Sequence, residues 1–160
     1  CSRDWSSDVC SSDLAAISNK KKVVLMKQYS AGNLGDIRLL ESKKLFLKNE
    51  KVNCNTLDKY ISKESVSKNS LVFIDVQGHE PYVFSGASEV IKKKIPIVFE
   101  FDPKLMTKSY LNYFKILFDN YKFFYDLHEN SIKKNFFNKE NILNLEKKLK
   151  NNYTNLMIVR

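Results

Sequence analysis

The apolar residues of this chain fall into short runs separated by polar, lysine-rich stretches, and the period within each run predicts an element. Residues 23–29 (VVLMKQY) read as a strand, followed by a loop at SAGNLGD that holds two of the four glycines. Residues 45–47 and 52–57 read as short strands with a lysine-rich turn between them. TLDKYISK predicts a short helical turn with Thr56 as its N-cap, and residues 62–70 a polar linker.

The second half is more regular. Residues 71–76 (LVFIDV) are apolar up to Asp75 without alternation, which predicts a strand buried on both faces of a parallel sheet. Residues 81–94 predict a helix with Val83, Phe84, Ala87, Val90 and Ile91 on one stripe, broken in two at Gly86. Lys92, Lys93 and Lys94 suit its C-terminus, where cations meet the negative end of the helix dipole. Residues 95–101 (IPIVFEF) read as a second buried strand, with Pro96 tolerated near its start. An amphipathic helix over 105–120, a strand over 121–127, a helix over 138–151 and a last strand over 155–159 follow. Strands alternating with helices place the chain in the α/β class, with a parallel sheet covered by helices on both faces.

Composition narrows this picture. At 160 residues, 43% of them hydrophobic, the chain is one globular domain's worth. No apolar stretch approaches the ~18 residues of a membrane span. Residues 1–14 (CSRDWSSDVCSSDL) stand apart: they lack Lys, Asn and Ile, which dominate elsewhere, and hold the only Trp and two of the three cysteines. They have neither the basic start nor the apolar centre of a signal peptide. They resemble translated sequencing-adaptor text, so the expected organisation is a non-native, disordered leader over 1–14 and a domain over 15–160. Cys54 is then alone and expected to pack as a small hydrophobe, which fits a reducing, cytoplasmic setting.

The net charge of +9 comes almost wholly from lysine, with only three Arg in the chain. Bidentate recognition of bases and phosphates favours Arg, so the lysines read as solvated faces rather than a specific nucleic-acid surface. A basic module binding nucleic acid or anionic glycan is the alternative these faces leave open.

Candidate chemistry lies at one edge. In open α/β sheets, ligands sit beyond the carboxyl ends of the strands. Asp75 follows the apolar run LVFI and Glu100 follows IPIVF, so two acids end successive strands. Neighbouring strands are ~4.8 Å apart, close enough for both acids to share a site. Such a pair binds a divalent cation such as Mg2+, or holds a substrate hydroxyl with one acid as general base. The other reading makes Asp75 a turn cap and Glu100 a solvated acid. Gly78 permits a sharp turn and a close approach of ligand to backbone, and Gln77 is placed to hydrogen-bond a cofactor or substrate. Glu80 precedes Pro81 in a first helical turn, where an acid suits the dipole whatever the function. His79 lies beside Asp75 as a candidate for proton transfer. His128 reads as a turn residue, and Asp102-Pro103 as the start of the next helix. There is no P-loop, GxGxxG, GxSxG or zinc-binding spacing.

At TLDKYI, LVFIDVQGHEPYVFSGA and KKIPIVFEFDP the chain resembles the FkbM family of S-adenosylmethionine-dependent methyltransferases. AGNLGDIRL resembles that family's middle region and YTNLMIVR its last strand, so the likeness covers about residues 15–160. The resemblance implies a Rossmann-like class I methyltransferase fold, a seven-stranded sheet with an antiparallel last strand. It implies methyl transfer to a hydroxyl of a sugar, glycan or natural product. It puts Asp75 and Glu100 at the ends of the fourth and fifth strands as catalytic or metal-binding acids, with His79 as a further catalytic candidate and Gln77 and Gly78 on the cofactor side. The family's first two strands carry a glycine-rich turn and an acid for the cofactor, and neither is in this sequence. The expectation is a partial fold: strands four to seven in the order 4-5-7-6, plus an inserted hairpin region. Such a fragment is inactive, or serves only as a scaffold, and associates through the exposed edge of its fourth strand.

Overall fold

The computed structural model describes residues 15–30, 33–40, 49–61, 69–129 and 132–160. Residues 1–14, the strand expected at 45–47 and most of the linker expected at 62–70 lie outside the described residues. The order is β1 (Ala15–Ile17), β2 (Lys22–Ser30), β3 (Asn33–Leu40), β4 (Asn49–Asn55), α1 (Leu57–Tyr60), β5 (Val72–Ile74), α2 (Glu80–Ser85), α3 (Ser88–Lys92), β6 (Ile97–Phe101), α4 (Tyr110–Asn120), β7 (Phe123–Asp126), β8 (Asn135–Phe136), α5 (Lys139–Leu149) and β9 (Thr154–Val159).

The strands form two sheets, ordered β1-β4-β2-β3 and β5-β6-β9-β7-β8. In the second, the strands expected as fourth, fifth, last and sixth lie side by side in that order. β9 runs antiparallel to both β6 and β7, and only β5 and β6 are parallel. The sheet is therefore mixed, not parallel. β7 and β9 alternate buried with half-buried residues, so one face lies fully under the helices and the other does not. This replaces the expectation of two helix-covered faces. In the first sheet β2 pairs antiparallel with β3 and β4, the hairpin region, while β1 pairs parallel with β4.

Several local readings need correction. β5 is not buried on both faces: it ends its sheet, and Leu71 and Phe73 are exposed. Asn33–Leu40 is strand, so most of the expected SAGNLGD loop belongs to β3. α4 begins at Tyr110, and the residues before it hold a separate turn in which Asp102 Oδ1 accepts from Lys104 N at 2.9 Å and Leu105 N at 3.4 Å. Thr56 occupies the N-cap position of α1 without a side-chain bond. The working cap nearby is Asp58, whose carboxylate accepts from Glu89 N and Val90 N at the start of α3. The helical stripe does break at Gly86, separating α2 from α3. There a Cβ would stand 2.3 Å from the carbonyl oxygen of Ser18, so the glycine allows the end of β1 to lie against the helix break.

The main core joins the second sheet to its helices. Phe114 of α4 meets Phe84 of α2 and Phe99 of β6 edge-on, with centroids 5.6 and 5.7 Å away. Phe101, Tyr110 and Phe118 complete its surroundings. Ala16, Val24, Val52 and Cys54 form a second small cluster. Cys54 is packed as expected, and burial pushes its thiol above the usual range. Among the described residues no helix is long and apolar enough to cross a membrane.

Phe114→Ala removes a fully buried ring with partners on three elements, and a loss of about 3–5 kcal/mol is expected from urea denaturation. A loss below 1 kcal/mol contradicts this account of the core.

Candidate functional site

Register brings the two predicted acids together. Ile74 pairs with Phe99 across the parallel β5–β6 ladder, so the next residues, Asp75 and Glu100, stand side by side as both strands run out. Glu80 joins them from the first turn of α2. One carboxylate oxygen from each of Asp75, Glu80 and Glu100 lies within 4.8 Å of the others. Asp75 is exposed, Glu100 half-buried and Glu80 fully buried.

The loop between β5 and α2 explains how Glu80 gets there. Gln77 and Gly78 both have positive φ, 50° and 89°, which turns the chain sharply back. Pro81 at the first positions of α2 presets the helical φ, and His79 accepts the first helical bonds at its carbonyl, from Tyr82 N and Val83 N. The Glu80 side chain folds back over the turn, and its Oε1 accepts from Val76 N at 3.1 Å. Its Oε2 is buried with no hydrogen-bond partner among the described residues. Burial raises the Glu80 carboxyl to about 7; the hydrogen bonds from its own and Val76 N–H oppose that rise, and the neighbouring Glu100 and Asp75 charges add to it.

The remaining predicted residues are placed differently. Gln77 Nε2 donates to Asp75 Oδ1 at 3.1 Å, so this side chain orients the acid. Gly78 makes the turn, yet the space beside its Cα is closed: a Cβ there would stand 2.5 Å from the Leu105 carbonyl oxygen. The close approach is by the 102–106 turn of this chain, not by a ligand. His79 is buried, stacks on Tyr82 at 4.6 Å, and places Nε2 2.8 Å from Ser18 Oγ. Its imidazole reaches back to the end of β1, 61 residues away in sequence. His128 is exposed in the turn after β7, where its backbone N–H donates to Asp126 Oδ1.

Sequence reasoning thus brought Asp75 and Glu100 together and did not place Glu80 with them. The available signal was the E-P pair directly after a glycine turn, which sets an acid at a helix start facing the strand end. Ser18 carried no signal at all. Searches against family models, curated proteins and solved structures found no match for the chain.

Chemically, three acids at one edge offer an oxygen-only surface. It can take a proton from a hydroxyl or hold a hard cation. Neither Gln77 nor Gly78 forms an open cradle for a nucleotide-like cofactor, since one is bound to Asp75 and the other is closed by Leu105.

Two outcomes are expected here. Gly78→Ala loses about 1–3 kcal/mol, since an L side chain at this φ is strained and the new methyl meets Leu105 backbone; wild-type stability in chemical denaturation contradicts the packing described. Glu80 governs a pH slope in metal-free protein. Its ordinary value is 4.5 and its folded value about 7, so below pH 4.5 both states hold the proton and its stabilisation is whole. As pH rises to 7 the unfolded chain releases the proton first and roughly 3 kcal/mol is lost, levelling off above 7. Glu80→Gln keeps the acceptor for Val76 N and should flatten this slope. Parallel denaturation curves of variant and parent from pH 5 to 8 contradict the assignment.

Proposed function

We propose that this chain carries the hydroxyl-activating edge of an S-adenosylmethionine-dependent O-methyltransferase of FkbM type, acting on a sugar, glycan or natural-product hydroxyl. The observation that carries this reading is the placement of Asp75 beside Glu100, with Glu80 behind them, at the carboxyl ends of two parallel strands. The sheet order β5-β6-β9-β7 with a reversed β9, and the stretch LVFIDVQGHEPYVFSGA, support the same reading.

In this reading Asp75 accepts the proton of the acceptor hydroxyl as its oxygen becomes the nucleophile. It is the most exposed of the three acids, and Gln77 holds one of its oxygens so that the other can face the acceptor. Glu100 orients the acceptor from the neighbouring strand. Glu80, buried and with its carboxyl raised to about 7, lets the cluster carry one proton near neutrality instead of three adjacent negative charges. His79, joined to Ser18, positions the 75–80 loop. Among the described residues, neither Gln77 nor Gly78 offers the donor an open cradle.

The upstream reading frame at the source locus is the first test. A glycine-rich DxGAxxG-like turn ahead of Ala15 supports the enzyme, and an open frame without one counts against it. With that frame included, calorimetric titration should show one S-adenosylmethionine site. Asp75→Asn should then lower kcat by ~10^2- to 10^4-fold with donor affinity kept. Unchanged turnover returns Asp75 to the role of a turn residue.

A further inference from the structure

The acids at the β5–β6 edge pose a problem that the hydroxyl chemistry alone does not solve. Glu80 has zero exposed surface, yet one of its oxygens has no hydrogen-bond partner among the described residues. An ionised carboxylate buried in that way is costly unless a positive group or a proton satisfies it. The charged groups that act on it are Glu100 and Asp75, both of its own sign.

We infer that Asp75, Glu80 and Glu100 form a binding site for one hard divalent cation of the Mg2+ or Mn2+ kind, with Glu80 as its buried anchoring ligand. The geometry fits an ion. Two oxygens on opposite sides of one Mg2+ are about 4.2 Å apart, and of one Ca2+ about 4.8 Å. The three carboxylates already converge within 4.8 Å, so side-chain adjustment alone closes the set. The donor chemistry fits as well: every ligand is a carboxylate oxygen, which selects hard cations and not thiol- or imidazole-seeking metals. The arrangement is also graded. Glu80 is held at Oε1 by Val76 N, so its rotamer is set before an ion arrives, while exposed Asp75 leaves the outer positions to water or to an acceptor oxygen. An ion that keeps several waters suits such a half-open site, which favours Mg2+ or Mn2+ over Ca2+.

As a helper in acceptor activation the ion rests on the methyl-transfer reading, because there it would stabilise the forming alkoxide. As a bound cation it does not, so it is tested without any methyl donor. The chain is stripped with EDTA, dialysed, and titrated with MnCl2, following free Mn2+ by electron paramagnetic resonance, with competition by MgCl2. One site is expected, displaced by Mg2+. Glu80→Gln and Asp75→Asn should each weaken it by on the order of tenfold or more, with circular dichroism unchanged. Asp75 is exposed, so its variant tests the site even if the buried one does not fold. No binding at millimolar Mn2+, or binding that both variants leave intact, overturns the proposal. In that case the three acids share a proton and nothing else. Binding with no methyl transfer retains the site and removes only the reaction.

Discussion

Phe114 is the contact on which the rest of the second sheet depends. Its ring is met by Phe84, Phe99, Phe101, Tyr110 and Phe118, which belong to α2, β6 and α4. Edge-to-face pairs of this kind stabilise beyond the area they bury, and they also restrict how the elements slide. Because α2 is pinned to β6 through Phe84, its first residue, Glu80, cannot leave the end of the strands. The acid cluster is therefore tied to aromatic packing one turn further along the same face of the helix, since Glu80 and Phe84 are four residues apart. Core and site are built from the same few residues of 71–118.

That arrangement holds a conflict in place. Folding brings three carboxyl groups within 4.8 Å and buries one of them completely. Left alone, this opposes folding near neutral pH, which is why the Glu80 carboxyl is driven upward. Strain of this type is ordinarily found where binding or chemistry relieves it. A proton, an acceptor hydroxyl and a hard cation are the three kinds of group that can do so, and the first two meet in the methyl-transfer reading. The backbone around the cluster is correspondingly tight, with Gly78 against Leu105 and the 75–80 turn fixed by two residues of positive φ.

The first sheet is tied to this edge at a few points. Ser18 meets His79 through its hydroxyl and Gly86 through its carbonyl. Asp58 N donates to Gly86 O, and the Asp58 carboxylate caps α3. The TLDKY element thus works as a clasp. It fastens the segment after β4 to the break between α2 and α3, so a change at Asp58 loosens the same helices that position Glu80. β5, with one neighbour, is an edge of its sheet, and Phe73 on it and Leu71 just before it are exposed.

Much of this was legible in residue order alone. Apolar period located β2, β5, β6, β7, α5 and β9 to within a few residues, and Gly86 marked the helix break, because period and glycine act within one or two turns of chain. The pairing of Asp75 with Glu100 was legible too, since acids that end successive parallel strands must lie near each other. What sequence could not show was every feature whose cause lies elsewhere in the chain. β8 forms only because β7 offers it an edge. The residues expected to open α4 instead form a separate turn capped by Asp102, which hydrophobic spacing does not reveal. The face of Gly78 is closed by Leu105, and His79 is drawn away to Ser18. Glu80 looks like an ordinary first-turn acid until the fold buries it between two others. Residue order determined that acids would gather at one edge; tertiary packing decided which of them would lose its water, and with it the chemistry open to the site.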